Sequence, residues 1–298
     1  MTTLLQRVGD NMTQETSSKG LISTLRGFEL DASSAQKIVD VANEIANTQP
    51  IDTSGIFEAM QRSASSLKAA GNTFEQGVSL ATAANSVVQD SQKIGTALKT
   101  ISMRIRGAST QMQQEGLDVE GMATSTSKLR AEIKALSGVD IMKNANEFKS
   151  TYDILDELSN KWSELTDIQR ASITELVAGK NQGNVMSALM SQFDIARESL
   201  NTALNESDGS AERELSNYQK GIQFSIDRIK ASFQEFSTTT LNSNIFKAFV
   251  DGGNAALNVI TAIVDKLGGL QTVIGGIATF FMQKNGSGKQ TIFVSILS

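Results

Sequence analysis

Apolar residues recur along this chain at spacings of three and four, the period of an α-helix with one buried face. Ile38, Val41 and Ile45 form the first such stripe, in a predicted helix over residues 31–47 that Asp31 or Ser33 can cap. Pro50 ends that segment. Asp52 or Ser54 opens the next, with Ile56, Met60, Ala64 and Leu67 on one face and Gly71 as its stop. Thr73 followed by Gln76 matches a capping box, in which each side chain meets the other residue's backbone N–H. The helix behind it carries Val78, Ala81, Asn85 and Val88, and a further helix from Ser91 presents Ile94, Leu98, Ile101 and Ile105. Between Gly107 and Ser127 the period fades. Gly116, Gly121 and several glutamines and hydroxyl residues predict a loop or hinge with at most one weak helix, and Gly138 with Asp140 marks another break.

The period returns at Ser150, which with Asp153 resembles a capping box. Ile154, Leu158, Trp162 and Leu165 then form one stripe. Thr166 with Gln169 marks a second start, followed by Ile173, Leu176 and Val177. Gly179 is placed to end that helix in a left-handed conformation. Asn181 or Asn184 can cap the next one, with Met186, Leu189, Met190 and Phe193 inward. Asn205 to Ala211 is a turn, built on Asp208-Gly209, with Ser210 as the following cap. Leu215, Tyr218, Ile222, Ile226, Ile229, Phe233 and Phe236 alternate spacings of three and four near a heptad period. Two readings of residues 210–240 stay open: a long coiled-coil-like helix, or an ordinary amphipathic helix on a bundle.

Residues 254–282 are the most apolar part, but Asp265 and Lys266 divide them, and the second half falls short of the roughly 20 apolar residues a membrane helix needs. A buried bundle helix and a cryptic membrane-inserting segment both fit. The tail after them turns to Gly, Lys and Asn and then to a β-like run with no prepared partner strand. The chain thus divides into an N-terminal helical region (1–108), a hinge or loop region (109–149), a second set of helices (150–253), an apolar helical segment (254–284) and an irregular C-terminal tail (285–298). The fold class is all-α: a multi-helix bundle, or extended helical hairpins joined by short turns.

Composition sharpens this. One proline in 298 residues suits helices, which exclude proline from their interiors. With no histidine and no cysteine, the commonest general base and the thiolate ligands and nucleophiles are missing. A zinc ligand set cannot be assembled, and neither a metal nor a cofactor is expected. The net charge of −5 argues against nucleic-acid binding as the main role. The short basic cluster Lys99, Arg104 and Arg106 reads as a solvated helix end. Asp156, Asn160 and Glu164 read as a solvated polar face. GSGKQT, residues 286–291, is not a phosphate-binding loop: Gln283 stands where the first glycine is required and Gln290 where Ser or Thr is. The N-terminus lacks a basic region followed by a long apolar core, so synthesis and residence in a cytoplasm is the default expectation. An enzyme is not expected.

Three blocks carry a resemblance. Residues 84–108 contain Gly-Thr-Ala-Leu-Lys-Thr, with Gly95, Thr96 and Leu98 as its marked positions. Residues 155–194 contain Trp162 and Leu165, then Ala178-Gly179 and Asn184, then an apolar helix. Residues 205–222 contain Gly209-Ser210-Ala211 and Glu214. In this order and spacing the blocks resemble the core region of phage tail tape measure proteins, of the type common in phages and prophages of Gram-positive bacteria, over roughly residues 39–281. The resemblance implies a structural virion protein. It would be made in the bacterial cytoplasm and housed in the tail lumen, where it sets tail length and is ejected during DNA delivery. It implies self-association, tail tube proteins and tail assembly chaperones as partners, and transient contact with the host membrane. A membrane-active translocator or pore-former is the alternative. Members of that family are usually longer, so the chain reads as a truncated or partial one. Wholly helical and straight, it would span at most about 450 Å, at about 1.5 Å per residue.

Overall fold

The computed structural model describes residues 1–221 and Ser225, and the backbone of residues 282–284 and 290–292. Residues Met1–Asn217 form one compact unit and Tyr218–Ser298 a second. The first is all-α. Its helices are α1 (Thr2–Val8), α2 (Gln14–Gly27), α3 (Ala35–Thr48), α4 (Thr53–Ala69), α5 (Phe74–Val88), α6 (Ser91–Ile105), α7 (Ser109–Gln114) and α8 (Thr126–Ser137). They continue as α9 (Thr151–Lys161), α10 (Asp167–Ala178), α11 (Gly183–Ser191) and α12 (Phe193–Asn205). The last helix among the described residues, α13, covers residues 210–221.

Most starts obey the local chemistry of the chain. The Asp52 carboxylate accepts the Gly55 N–H at the head of α4, and Asp90 accepts that of Lys93 at the head of α6. The reciprocal boxes Thr73–Gln76 and Thr166–Gln169 both form. These bonds satisfy N–H groups that the first turn of a helix leaves without partners. Ser150 accepts the Asp153 N–H, so it caps α9 by that single bond. Other expected caps are corrected. Asp31 makes no side-chain cap, because a short 3₁₀ turn, Ala32–Ser34, precedes α3. Neither Asn181 nor Asn184 caps α11: Gln182 precedes it, and Asn184 lies inside its first turn.

The expected stripes on α3, α4 and α6 all point into the core: Ile38, Val41 and Ile45; Ile56, Met60 and Leu67; Ile94, Leu98, Ile101 and Ile105. α4 packs along α6 and α2, and α5 packs against α12 and α11. α5 departs from the one-sided pattern expected of it. Residues Phe74, Glu75 and Gly77–Ala84 are all buried, so it is a central helix covered on every side. Its small and hydroxyl-bearing residues permit this, since the Ser79 and Thr82 hydroxyls donate to carbonyls one turn back within the helix. Asn85 lies past that buried stretch and donates to the Pro50 carbonyl.

Residues 109–149 differ most from expectation. The expected loop holds one short helix, α7, but also a second, α8, and Leu129, Ile133, Val139 and Ile141 join the same core as the helices on either side. The sequence hides α8 because only two of its apolar residues, Leu129 and Ile133, face inward. The turn after it is fixed by Asp140, whose carboxylate receives two bonds from the Arg130 guanidinium at 2.7 Å each and one from Lys134 at 3.1 Å.

The Trp162 stripe is also interrupted. α9 ends at Lys161, residues Trp162–Glu164 make a 3₁₀ turn, and Leu165 is extended. Arg170 donates to the Trp162 carbonyl at 3.0 Å and holds that turn. Trp162 therefore covers the core from its edge, partly exposed. In the second unit, residues Met282–Lys284 pair antiparallel with Gln290–Ile292. The β-like run of the tail thus has a partner strand after all, one that begins inside the segment expected to be helical. The segment 254–281 and most of the heptad-like stripe lie outside the described residues. Of that stripe, Leu215 packs against the core and Tyr218 is 63% exposed.

Two outcomes are expected. Gly95 lies against α4, where an added Cβ would sit 2.6 Å from the Ala59 carbonyl oxygen and 2.9 Å from its Cα. Backbone cannot step aside as a side-chain tip can, so Gly95→Ala should lose about 1–3 kcal/mol in spite of alanine's better helix propensity. Gly183→Ala, with only Thr174 Cγ2 near at 3.5 Å, should be neutral or stabilising; thermal unfolding of the two variants compares them directly. The second concerns pH. The Arg130 hydrogen bonds hold the Asp140 carboxyl well below its ordinary 3.8. A carboxyl depressed in the folded state adds stability above its unfolded pKa and loses it in acid. Asp140→Asn should be less stable than wild type at neutral pH, and urea titrations at falling pH should show the gap closing below about pH 3.8.

Candidate functional site

No catalytic pair is expected of this chain, so its candidate functional positions are those that fix helices to one another. The strongest is a buried arginine. Arg104 lies on the last turn of α6 and is 1% exposed. Its Nε donates to the Leu176 carbonyl at 3.1 Å and its Nη1 to the Asp118 carbonyl at 3.0 Å. Its Nη2 donates to the carbonyls of Glu120 at 2.9 Å and Glu175 at 2.8 Å. Glu175 and Leu176 belong to the last turn of α10, where the helix dipole favours a cation; the Glu175 carbonyl also accepts the Gly179 N–H at 3.0 Å. One planar guanidinium thus ties together α6, the 118–120 loop and the end of α10. Burial lowers the Arg104 pKa, and the nearby Asp118 and Glu175 charges oppose that shift.

Gly179 completes this node. Its φ of 73° and ψ of 179° lie outside the left-handed helical region expected at this helix end, in an extended region that only glycine adopts readily. A Cβ there would also press on the Arg104 guanidinium, 3.0 Å from Nη1. Two residues beyond Arg104, Arg106 points another way. It donates to the carbonyls of Ala70 and Lys149 and lies 4.5 Å over the Phe148 ring. Burial brings its pKa down to about 10, which leaves it protonated at neutral pH. Lys99 pairs with Glu115, just past the end of α7. The solvated helix end expected of these three residues is therefore corrected: Arg104 is a buried cross-link, Arg106 a half-buried one, and Lys99 is in an ion pair.

The polar face at Asp156 is corrected in the same sense. Arg197 of α12 reaches the Asp156 carboxylate at 2.6 Å, with Ser159 Oγ and Asn160 Oδ1 each at 2.8 Å, so α9 and α12 are joined there. Glu164 instead pairs locally with Lys161. Sequence reasoning missed Arg104, Arg106 and Arg197 as anchors, along with the Asp40 partner described below. The one available signal was weak: Arg104 lies beside Ile101 and Ile105 of the α6 stripe, and Arg106 directly follows it.

The resemblance-bearing residues separate into several groups. Gly95 sets the close approach of α4 and α6, Leu98 is buried beside it, and the Thr96 hydroxyl donates to the Gln92 carbonyl. Gly179 belongs to the Arg104 node, whereas Trp162 and Leu165 lie at the turn before α10 and Asn184 is exposed on α11. Gly209, Ser210 and Ala211 meet α3. There Ser210 does not act as a cap: its hydroxyl accepts from Asn43 at 2.9 Å. The Asp40 carboxylate takes the capping role, accepting the Gly209 N–H at 3.3 Å and the Ala211 N–H at 3.0 Å. A cleft of about 390 Å³ opens between Phe28, Ile38 and Phe74; Lys37, Lys68 and Glu75 line it, and Lys37 pairs with Glu75.

The comparisons with known proteins bear on this scaffold. The model of the phage-related minor tail protein family matches residues 1–179 of this chain. The chain belongs to that family. The match takes in the Gly95 block, Trp162, both halves of the Arg104 node and Gly179, and the Gly209 turn lies beyond it. This minor tail protein is accordingly a structural phage tail component with an all-α core. No solved structure matches the chain. Among the described residues, no helix is long and apolar enough to cross a membrane, and the apolar segment 254–281 lies outside them.

Removing the node should be costly. Arg104→Met leaves four carbonyls without their charged donor, and a loss of about 3 kcal/mol or more is expected in chemical denaturation of the full chain. Arg104→Lys should recover only a minor part, since one ammonium cannot reproduce the fork that meets three segments at once. A lysine variant as stable as wild type would show that charge alone, without the planar geometry, holds the node.

Proposed function

We propose that this minor tail protein is a tape measure core: a helical component that occupies the tail tube and sets the length at which tube polymerisation stops. Its partners are then further copies of itself, the tail tube proteins and the tail assembly chaperones, and it leaves the tail during DNA delivery. The role is mechanical, so no catalytic residue is assigned. The observation that carries this reading is the family match over residues 1–179, which takes in the Gly95 block and the Trp162 block as far as Gly179, in the order that resembles a tape measure core. Physical support comes from the way the unit is built. Its marked residues act on helix approach, helix ends and turns. A protein that measures by length needs helices and joints, because each helical residue contributes a fixed rise of about 1.5 Å.

The test is tail length. In-frame removal of α7 and α8, residues 109–137, should shorten assembled tails by up to about 1.5 Å per residue removed. Electron microscopy of intact tails reads this directly. Tails of wild-type length, assembled with the shortened protein, would sink the ruler role for this region.

A further inference from the structure

The start of α13 is held by a polar seam. Gln36, Asp40, Asn43, Glu44 and Asn47 share one face of α3, at the three- and four-residue spacing that aligns helical side chains. The opposite face carries Ile38, Val41 and Ile45 into the core, so α3 itself is firmly anchored. Along the polar face, Asp40 accepts the Gly209 and Ala211 N–H groups, and both its oxygens also accept from Gln36 Nε2, at 3.2 and 3.1 Å. Asn43 Nδ2 donates to Ser210 Oγ at 2.9 Å, and Asn47 Nδ2 donates to Glu214 Oε2 at 2.7 Å. Arg213 pairs with Glu44 at 3.4 Å.

Two features set this seam apart from the other helix contacts. First, α13 cannot cap itself. The residue before its first turn is Gly209, which has no side chain to accept the orphan N–H groups, so Asp40 supplies the acceptor from another helix. Asp40 is 2% exposed and has no ion-pair partner among the described residues. The N–H groups and the positive end of α13 stabilise its charge. Each side therefore depends on the other. Second, little apolar surface holds the two together among the described residues: from 210 to 221, the only buried apolar residue is Ala211, and Leu215 packs in part. The seam also leaves Asn43 Oδ1 buried without a partner. Undocking would hydrate Asp40, Asn43 and Ser210, which exchanges protein hydrogen bonds for water bonds at small net cost. Undocking α5 or α6 would expose Leu and Ile side chains instead.

We infer that the polar face of α3 is a releasable latch: it caps α13 in the compact unit and can let that helix go without opening the core. The latch stands on this geometry alone. Its use, freeing the helix that begins at Ser210 when the protein extends in a tail, rests on the tape measure reading.

Hydrogen exchange of the full chain tests it, separately from tail length. Asp40→Ala should speed exchange in residues 207–217 by about tenfold, the loss expected when buried N–H groups lose a charged acceptor, and leave α4–α6 unchanged. The paired variant Asn47→Ala/Glu214→Ala, at the exposed edge of the seam, should speed exchange in the same residues by a smaller factor. It decides the matter if Asp40→Ala does not fold. Unchanged exchange in 207–217 would overturn the latch. So would a loss of protection that spreads through α4–α6, because the seam would then be part of the core and not a separable joint.

Discussion

A guanidinium buried with no carboxylate in contact is stable only when its N–H groups find acceptors, because stripping water from a cation costs several kcal/mol. Arg104 meets that demand with carbonyls from Asp118, Glu120, Glu175 and Leu176, which belong to two segments far from it in sequence. The requirement propagates outward. The 118–120 loop must pass beside α6, α10 must end there, and the residue after α10 must leave room for the charge. Gly179 does so, with a backbone that avoids the guanidinium by having neither a Cβ nor an ordinary φ. α6 is thus the pivot of the unit. Its apolar stripe and Gly95 hold α4 on one side, and its arginines gather the ends of α10 and α4 on the other.

The sequence makes the apolar part of this arrangement readable and leaves the polar part obscure. Ile94, Leu98, Ile101 and Ile105 announce their face by spacing alone, and Thr73–Gln76 announces a helix start through bonds among four consecutive residues. Both signals are local. Arg104 beside Arg106 and Lys99 has the look of a charged helix end because most arginines are exposed. What buries it is a set of backbone carbonyls, which carry no sequence signature. Ser210 misleads for the same reason: just after Asp208-Gly209 it suits a cap, but it is the first residue of α13, and the acceptor that serves comes from Asp40, about 170 positions away. α5 was half-legible. Its period is helical, yet nothing in a stretch of Ala, Ser and Thr says whether one face or all of them will be covered. α8 escaped because a helix with two inward apolar residues gives almost no periodic signal.

These two kinds of contact divide the labour in the unit. Apolar stripes on α3, α4, α5 and α6 build a core that is expensive to open, since each exposed Leu or Ile loses about 1.5–3 kcal/mol of burial. Polar nodes fix how the remaining helices attach to it. They differ in how completely they are satisfied. The Arg104 node is enclosed and charged, so it behaves as part of the core. The α3–α13 seam is enclosed only at Asp40, Asn43 and Ser210 and is open to water at Asn47, Glu44, Arg213 and Glu214.

That gradient gives the proposed ruler role a physical sense. Residues Met1–Asn217 form a compact unit, yet a ruler contributes length only where its helices run end to end. A fold joined throughout by apolar faces could not lengthen without exposing them. A fold with one firm core and a weaker polar joint at its last helix can let that helix go and keep the rest, and α13 begins at such a joint. Under the proposed role, the residues that matter most are therefore those that set the strength of each joint: Gly95 and Arg104 where the helices must stay together, and Asp40 where they must be able to part.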